Sequence, residues 1–129
     1  MTNRITLTHE VSDEFVRDVM TNIIESGSTS YWGSYRRLRR DDQSEVVSFE
    51  IAEDESVDDS DDPSDIEWHL FERKDVVRGI NAALADGHLA DYIRGYLVRG
   101  VIEDDAGEID GEACDVIVQI AVLGEIVYG

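Results

Sequence analysis

The chain has one lysine, Lys74, while its other ten basic residues are arginines. It has one cysteine, Cys114, and one proline, Pro63. A lone cysteine excludes an internal disulfide and a cysteine-based zinc site within one chain. No apolar run approaches the roughly 18 residues that a membrane-spanning helix requires. The opening residues, MTNRITLTHE, lack the apolar stretch of a signal peptide, so the expectation is a soluble, intracellular, cytoplasmic protein. No serine sits in a G-x-S-x-G elbow, and no glycine-rich phosphate loop is present. The acidic stretches lack the alternating ligands and central glycine of an EF-hand.

What the chain has in excess is negative charge. Thirty Asp and Glu stand against 11 Lys and Arg, a formal charge of −19 over 129 residues. A fold with that charge repels itself at low salt. At molar salt the screening length falls to about 3 Å and the repulsion is damped. Abundant carboxylates, near-absence of lysine and retained arginine resemble the composition of proteins from salt-in halophiles: a haloarchaeon or one of its viruses. The segment from Glu53 to Asp65 concentrates the trend, with eight of its thirteen residues acidic. Its serines and Pro63 predict a mobile connector over about residues 53–65. A nucleic-acid mimic and a divalent-cation site are competing readings of the same segment. In an acidic chain, however, an acidic loop is the ordinary expectation.

Apolar periodicity sets the element order. Ile5, Leu7, His9 and Val11 alternate with Thr6 and Thr8, predicting a strand. Ser12 then reads as a helix N-cap, with Asp13 and Glu14 in the first turn and Val11 and Val16 placed as a hydrophobic staple. Phe15, Val19, Met20 and Ile23 recur at helical spacing, and Gly27 is the natural stop. Strands are predicted over about Tyr31–Arg39, around Val47, Phe49 and Ile51 on one face, and over the stretch with Ile66, Trp68 and Leu70 on one face and His69 and Phe71 on the other, the last two strands pairing antiparallel across the acidic segment. Three helices follow: one through Val76, Val77, Ile80 and Leu84 ending at Gly87; one through Leu89, Tyr92, Ile93, Tyr96 and Leu97 ending near Gly100; and one from about Glu112 to Val127. The last is apolar nearly all round, which predicts either a central helix or a homo-oligomer contact. The expectation is one α+β domain over residues 1–129, with about four early strands in a small antiparallel sheet packed against about four helices.

Few residues point to chemistry. Cys114 lies in the first turn of the last helix, yet Glu112 and Asp115 flank it, and it reads as a small buried hydrophobe. His9, His69 and His88 lie apart. His69 beside acidic neighbours could ligate a metal, but it reads more simply as an exposed strand residue. No catalytic residue, metal site or cofactor is assigned. The strongest binding candidate is the aromatic and basic run Tyr31, Trp32, Tyr35, Arg36, Arg37, Arg39 and Arg40. Aromatic faces can stack bases and guanidinium forks can grip phosphate. Against this, the cluster could serve as counterion to the acidic segment, or strand alternation could split it. The overall charge disfavours direct nucleic-acid binding. Asp115 and Gln119, four residues apart on an apolar helix, predict a buried polar network near Tyr31 or Trp32. Gly124 is expected to allow close approach of another segment.

Two stretches resemble a known family. SGSTSYW, Ser26 to Trp32, is similar to the EGGxxYW segment of a family of small proteins from tailed phages and mobile elements. DVIVQIAVLGEIVYG, Asp115 to Gly129, resembles that family's D-x-x-x-Q-x-A-x-F-G-E-x-V-Y-G ending. THEVSDEFVRDVM suits its strand-then-helix start. Ser26, Ser28 and Leu123 depart from the pattern. The resemblance implies no activity. It implies an accessory gene of a virus, provirus or plasmid, and it groups Tyr31, Trp32, Asp115, Gln119 and Gly124 in space. The expected function is non-enzymatic binding of a protein partner, with inhibition of a host nucleic-acid or defence machine as one form. A small-ligand or nucleotide binder using Tyr31, Trp32 and Arg36–Arg40 is the alternative.

Overall fold

The computed structural model describes residue 3 and residues 8–129. The fold is α+β: a three-stranded antiparallel sheet and five helices. The order is α1 (Asp13–Ser26), β1 (Gly33–Arg40), β2 (Val46–Glu53), α2 (Asp54–Asp59), β3 (His69–Glu72), α3 (Arg73–Ala85), α4 (Asp91–Glu103) and α5 (Gly111–Leu123). No helix among the described residues is long and apolar enough to cross a membrane.

The predicted first strand falls largely on residues 4–7, outside the described residues, while residues 8–11 carry no regular structure. Among the described residues the sheet has three strands rather than the expected four, in the order β1-β2-β3. β2 and β3 pair antiparallel across the acidic segment, with Phe49 opposite Phe71. Their rings stack at 5.1 Å, and Tyr35 of β1 meets Phe49 edge-on at 5.1 Å. Phe49, Ile51 and Phe71 are fully buried, whereas Leu70, the neighbour of Phe71 in β3, is 55% exposed. The face carrying Phe49, Ile51 and Phe71 therefore enters the core, while on the other face small Ser48 and Ala52 are buried and Leu70 is exposed.

α1 forms where its caps predict. Ser12 Oγ accepts from the Phe15 amide at 3.0 Å, and Gly27 closes the helix in the left-handed region at φ 62°. α3 is locked at its start by a capping box in which the Asp75 carboxylate accepts from the Glu72 amide at 2.8 Å. α3 and α5 touch so closely at Gly79 that a Cβ there would lie 2.7 Å from the Ile117 carbonyl oxygen. Such a clash with backbone is not relieved by a rotamer change.

Three helix ends differ from the periodicity reading. α3 stops at Ala85, with Asp86 as its C-cap, before Gly87. α4 runs through Gly100 to Glu103, and Asp104 takes the left-handed turn at φ 51°. Gly100 instead makes room: a Cβ there would meet Ile109 Cδ1 at 2.5 Å. α5 ends at Leu123 rather than Val127, because Gly124 adopts φ 83° and turns the chain back along the helix. Nothing lies within 4 Å of a Cβ built on Gly124, so its role is the positive φ and not the close approach expected of it. α5 is central, with an unbroken run from Ala113 to Ile120 buried by this chain's own elements.

The acidic segment is more ordered than a bare connector. Residues Asp54–Asp59 form α2, and Pro63–Asp65 form a 3-10 turn capped by Asp62, whose carboxylate accepts from the Ser64 amide. Asp54 supplies the anchor. Its amide donates to the Trp32 carbonyl at 2.7 Å, and its carboxylate accepts from Ser34 Oγ at 2.6 Å.

Candidate functional site

The residues that hold the end of the chain in place come from three distant stretches. Asp115 lies in the second turn of α5, 8% exposed, and both of its oxygens are engaged. Oδ1 accepts from Trp32 Nε1 at 2.7 Å and Oδ2 from Tyr31 OH at 2.6 Å. One turn on, the fully buried Gln119 faces the returning tail. Its Oε1 accepts from the amides of Val127 and Tyr128, each at 2.8 Å, and its Nε2 donates to the Tyr128 carbonyl at 3.1 Å and more weakly to Tyr31 OH at 3.4 Å. The Gln119 amide therefore stands in for a strand partner to the tail. Tyr128 closes the arrangement: its ring stacks on Trp32 at 5.3 Å and 8°, and its hydroxyl donates to Glu53 at 3.0 Å. Trp32, only 3% exposed, is held between Asp115 and Tyr128.

An open groove of about 590 Å³ runs beside this seam. Tyr31, Tyr92 and Tyr128 line it together with Glu112, Asp115 and apolar side chains of α4, α5 and the tail. Tyr31 and Tyr92 are 56% and 54% exposed. The Tyr92 hydroxyl donates to Glu112 Oε2 across the gap between α4 and α5. All three lining phenols thus donate to a carboxylate. Their acidities move accordingly. Burial and the Asp115 carboxylate push Tyr31 up to about 12. Tyr92 is raised by its bond to Glu112. Tyr128 is raised by desolvation and then by Glu53.

The arginine cluster lies elsewhere. β1 carries irregular register between Arg36 and Arg39, and Arg37 sits at φ 53°. Arg36 and Arg37 both face Glu50 of β2, at 2.9 and 3.4 Å, and the Arg36 guanidinium lies 4.2 Å from the Trp68 ring centre. Arg40 donates to the Ser44 carbonyl at 2.7 Å, and Arg39 is exposed. Tyr35 turns inward; its hydroxyl is buried with no partner among the described residues, and burial pushes its pKa well above the ordinary phenol value. Of the seven candidate residues, the structure groups Tyr31 and Trp32 with Asp115, Tyr35 with the core, and Arg36 and Arg37 with Glu50. It forms no shared pocket of aromatics and arginines. Among the described residues, Arg36 and Arg37 pair with Glu50, and no ion pair joins the cluster to the acidic segment.

Other groups are accounted for by local structure. Cys114 is fully buried, and burial, with Asp110 and Asp115 nearby, pushes its thiol from 9.0 to about 12. A thiol so disposed is inert. Glu103, Asp105 and Glu108 bring ligand atoms within 4.8 Å of one another. Asp105 there caps the 3-10 turn at Gly107, and Glu108 lies 3.5 Å from Arg99. A larger polar cleft of about 680 Å³ beside α1 is walled by groups already bonded, including Thr21 to Glu45 at 2.7 Å and the Ser12 amide to Asp104 at 2.9 Å. The tyrosine groove was not legible from sequence, since Tyr92 and Glu112 read as members of separate helical stripes. The one available signal was YG at the chain's end beside the D-x-x-x-Q spacing of the last helix.

No protein-family model matches the chain, and neither a curated protein nor a solved structure matches it.

Proposed function

We propose that the protein is a non-enzymatic accessory protein of a haloarchaeal virus, provirus or plasmid, and that it acts by binding another protein. The observation that carries this reading is the tyrosine-walled groove. Two of its rings are more than half exposed while their hydroxyls are fixed by carboxylates. Rigid, pre-ordered tyrosines with an apolar floor favour protein contacts, because they supply contact area with little side-chain entropy left to lose. The inert thiol supports a binding role over nucleophilic catalysis. The acidic, lysine-poor composition supports a salt-rich setting, and a strongly anionic binder suits inhibition of a host machine that handles nucleic acid. The nucleotide-binding alternative would need the Trp32 face and the β1 arginines at one place.

Affinity capture from a halophile lysate at molar salt, reading bound protein and nucleic acid together, tests the reading. Stoichiometric retention of one protein without nucleic acid is the expected result. Retention of nucleic acid alone, or of nothing, would refute it.

A further inference from the structure

We propose that the groove between α4, the start of α5 and the returning tail is the seat for an arginine side chain of the partner protein. This inference rests on the protein-binding reading and specifies the chemistry at its contact.

The argument begins with hydrogen-bond polarity. Tyr31, Tyr92 and Tyr128 each donate their only hydroxyl proton to a carboxylate: Asp115, Glu112 and Glu53. What these phenols can still offer a visitor is lone pairs and ring faces. The Glu112 carboxylate is exposed, and only its Oε2 is engaged among the described residues, which leaves Oε1 as an acceptor. Asp115 adds negative charge behind Tyr31. No lysine or arginine lines the groove. His88 and Ser28 also line it, but its three phenols and its carboxylates offer acceptors and electron-rich rings, whose complement is a cation that only donates.

Guanidinium fits better than ammonium. It carries five donors and no acceptor, stacks flat on aromatic rings and is weakly hydrated, so an apolar floor such as Ile93 and Val116 costs it less. Proton donation to carboxylates leaves the phenol rings richer in electrons, which strengthens their attraction for a cation.

The test uses the full chain, isotope-labelled, and the capped peptide acetyl-Gly-Arg-Gly-amide followed by NMR at molar salt. Saturable shifts confined to Tyr31, Tyr92, Glu112 and Tyr128 are expected. The citrulline counterpart, which has the same shape without the charge, should bind at least about tenfold more weakly, and so should the arginine peptide to Glu112→Gln or Tyr92→Ala. Both substituted side chains are exposed, so the fold should survive, and unchanged spectra elsewhere would verify that. The lysine peptide should fall between the arginine and citrulline peptides. Equal binding of the citrulline peptide, shifts spread over the acidic segment, or full affinity in Glu112→Gln would each overturn the proposal. So would self-association of the chain abolished by Arg39→Gln, which would make a second copy the occupant. If lysate capture yields a protein partner that Tyr92→Ala and Glu112→Gln retain undiminished, the arginine seat fails and the protein-binding reading stands. If capture yields no protein, that reading itself fails.

Discussion

Two acidic regions of this molecule use the same chemical group in opposite ways. The seam around α5 contains few carboxylates, and each has a defined donor: Asp115 holds Tyr31 and Trp32, and Glu53 holds Tyr128. The segment from Asp54 to Asp65 contains many, and after Asp54 only Asp62 has a side-chain hydrogen bond among the described residues, accepting from the Ser64 amide at 3.0 Å. α2 within it has no capping side chain, and Asp58 and Asp59 sit at its C-terminal end, where the helix dipole disfavours anions. The difference shows that donors within reach, rather than the number of carboxylates, decide whether an acidic residue is structural.

The comparison breaks most visibly at Asp115. Asp115→Ala removes two charge-assisted bonds and strands the buried Trp32 N–H, so chemical denaturation should show a loss of about 3 kcal/mol. An unchanged midpoint would mean that the seam is no more structural than the acidic segment. Gln119→Leu keeps the volume near that of the native side chain and removes the tail's partner. A loss of about 2 kcal/mol is expected, together with faster amide exchange at Val127 and Tyr128. Slow exchange at those amides in the variant would place the tail's anchor elsewhere.

A smaller effect appears at alkaline pH. The unfolded Tyr31 phenol ionises near the ordinary phenol value of 10.0, and the folded one at about 12. Its contribution to stability is therefore complete below pH 10 and declines as pH rises towards 12, because the unfolded state sheds its proton first. Solvent screening of this exposed ring keeps the effect modest. Tyr31→Phe should flatten stability over that window, and an identical slope in the variant would contradict the assignment. The smallest change in the fold is expected from Asp58, Asp59, Asp61 and Asp62 all replaced by Asn. Four fewer charges should lower the dependence of the melting temperature on salt and leave the core spectrum unchanged. Undiminished salt dependence would count against charge repulsion as its source.

Much of the fold can be read from local pattern. The Ser12 cap, the Gly27 stop and the antiparallel pairing of β2 with β3 across the acidic segment follow from local pattern and chain order, whereas the register that sets Phe49 opposite Phe71 comes from the fold. The helix ends at Gly100 and Gly124 do not follow from local pattern either. Both glycines look like stops, yet one admits Ile109 in mid-helix and the other turns a tail that periodicity reads as more helix. A periodic apolar pattern cannot distinguish continued helix from a chain that folds back over it, since both present apolar residues to the same core. The site divides in the same manner. A polar pair on an apolar helix marks Asp115 and Gln119 in advance, whereas Tyr92 and Glu112 meet only because α4 and α5 lie side by side.

By itself the sequence determined the class of fold, the buried faces of the helices and the need of Asp115 and Gln119 for partners, since apolar periodicity and the cost of an unpaired buried polar group are local facts. Tertiary structure alone decided that the returning tail would be the partner of Gln119, that Arg36 and Arg37 would settle on Glu50, and that three phenols would share one groove. Those outcomes depend on which distant segments the core brings within 3 Å or so of one another, a distance that no spacing along the chain encodes.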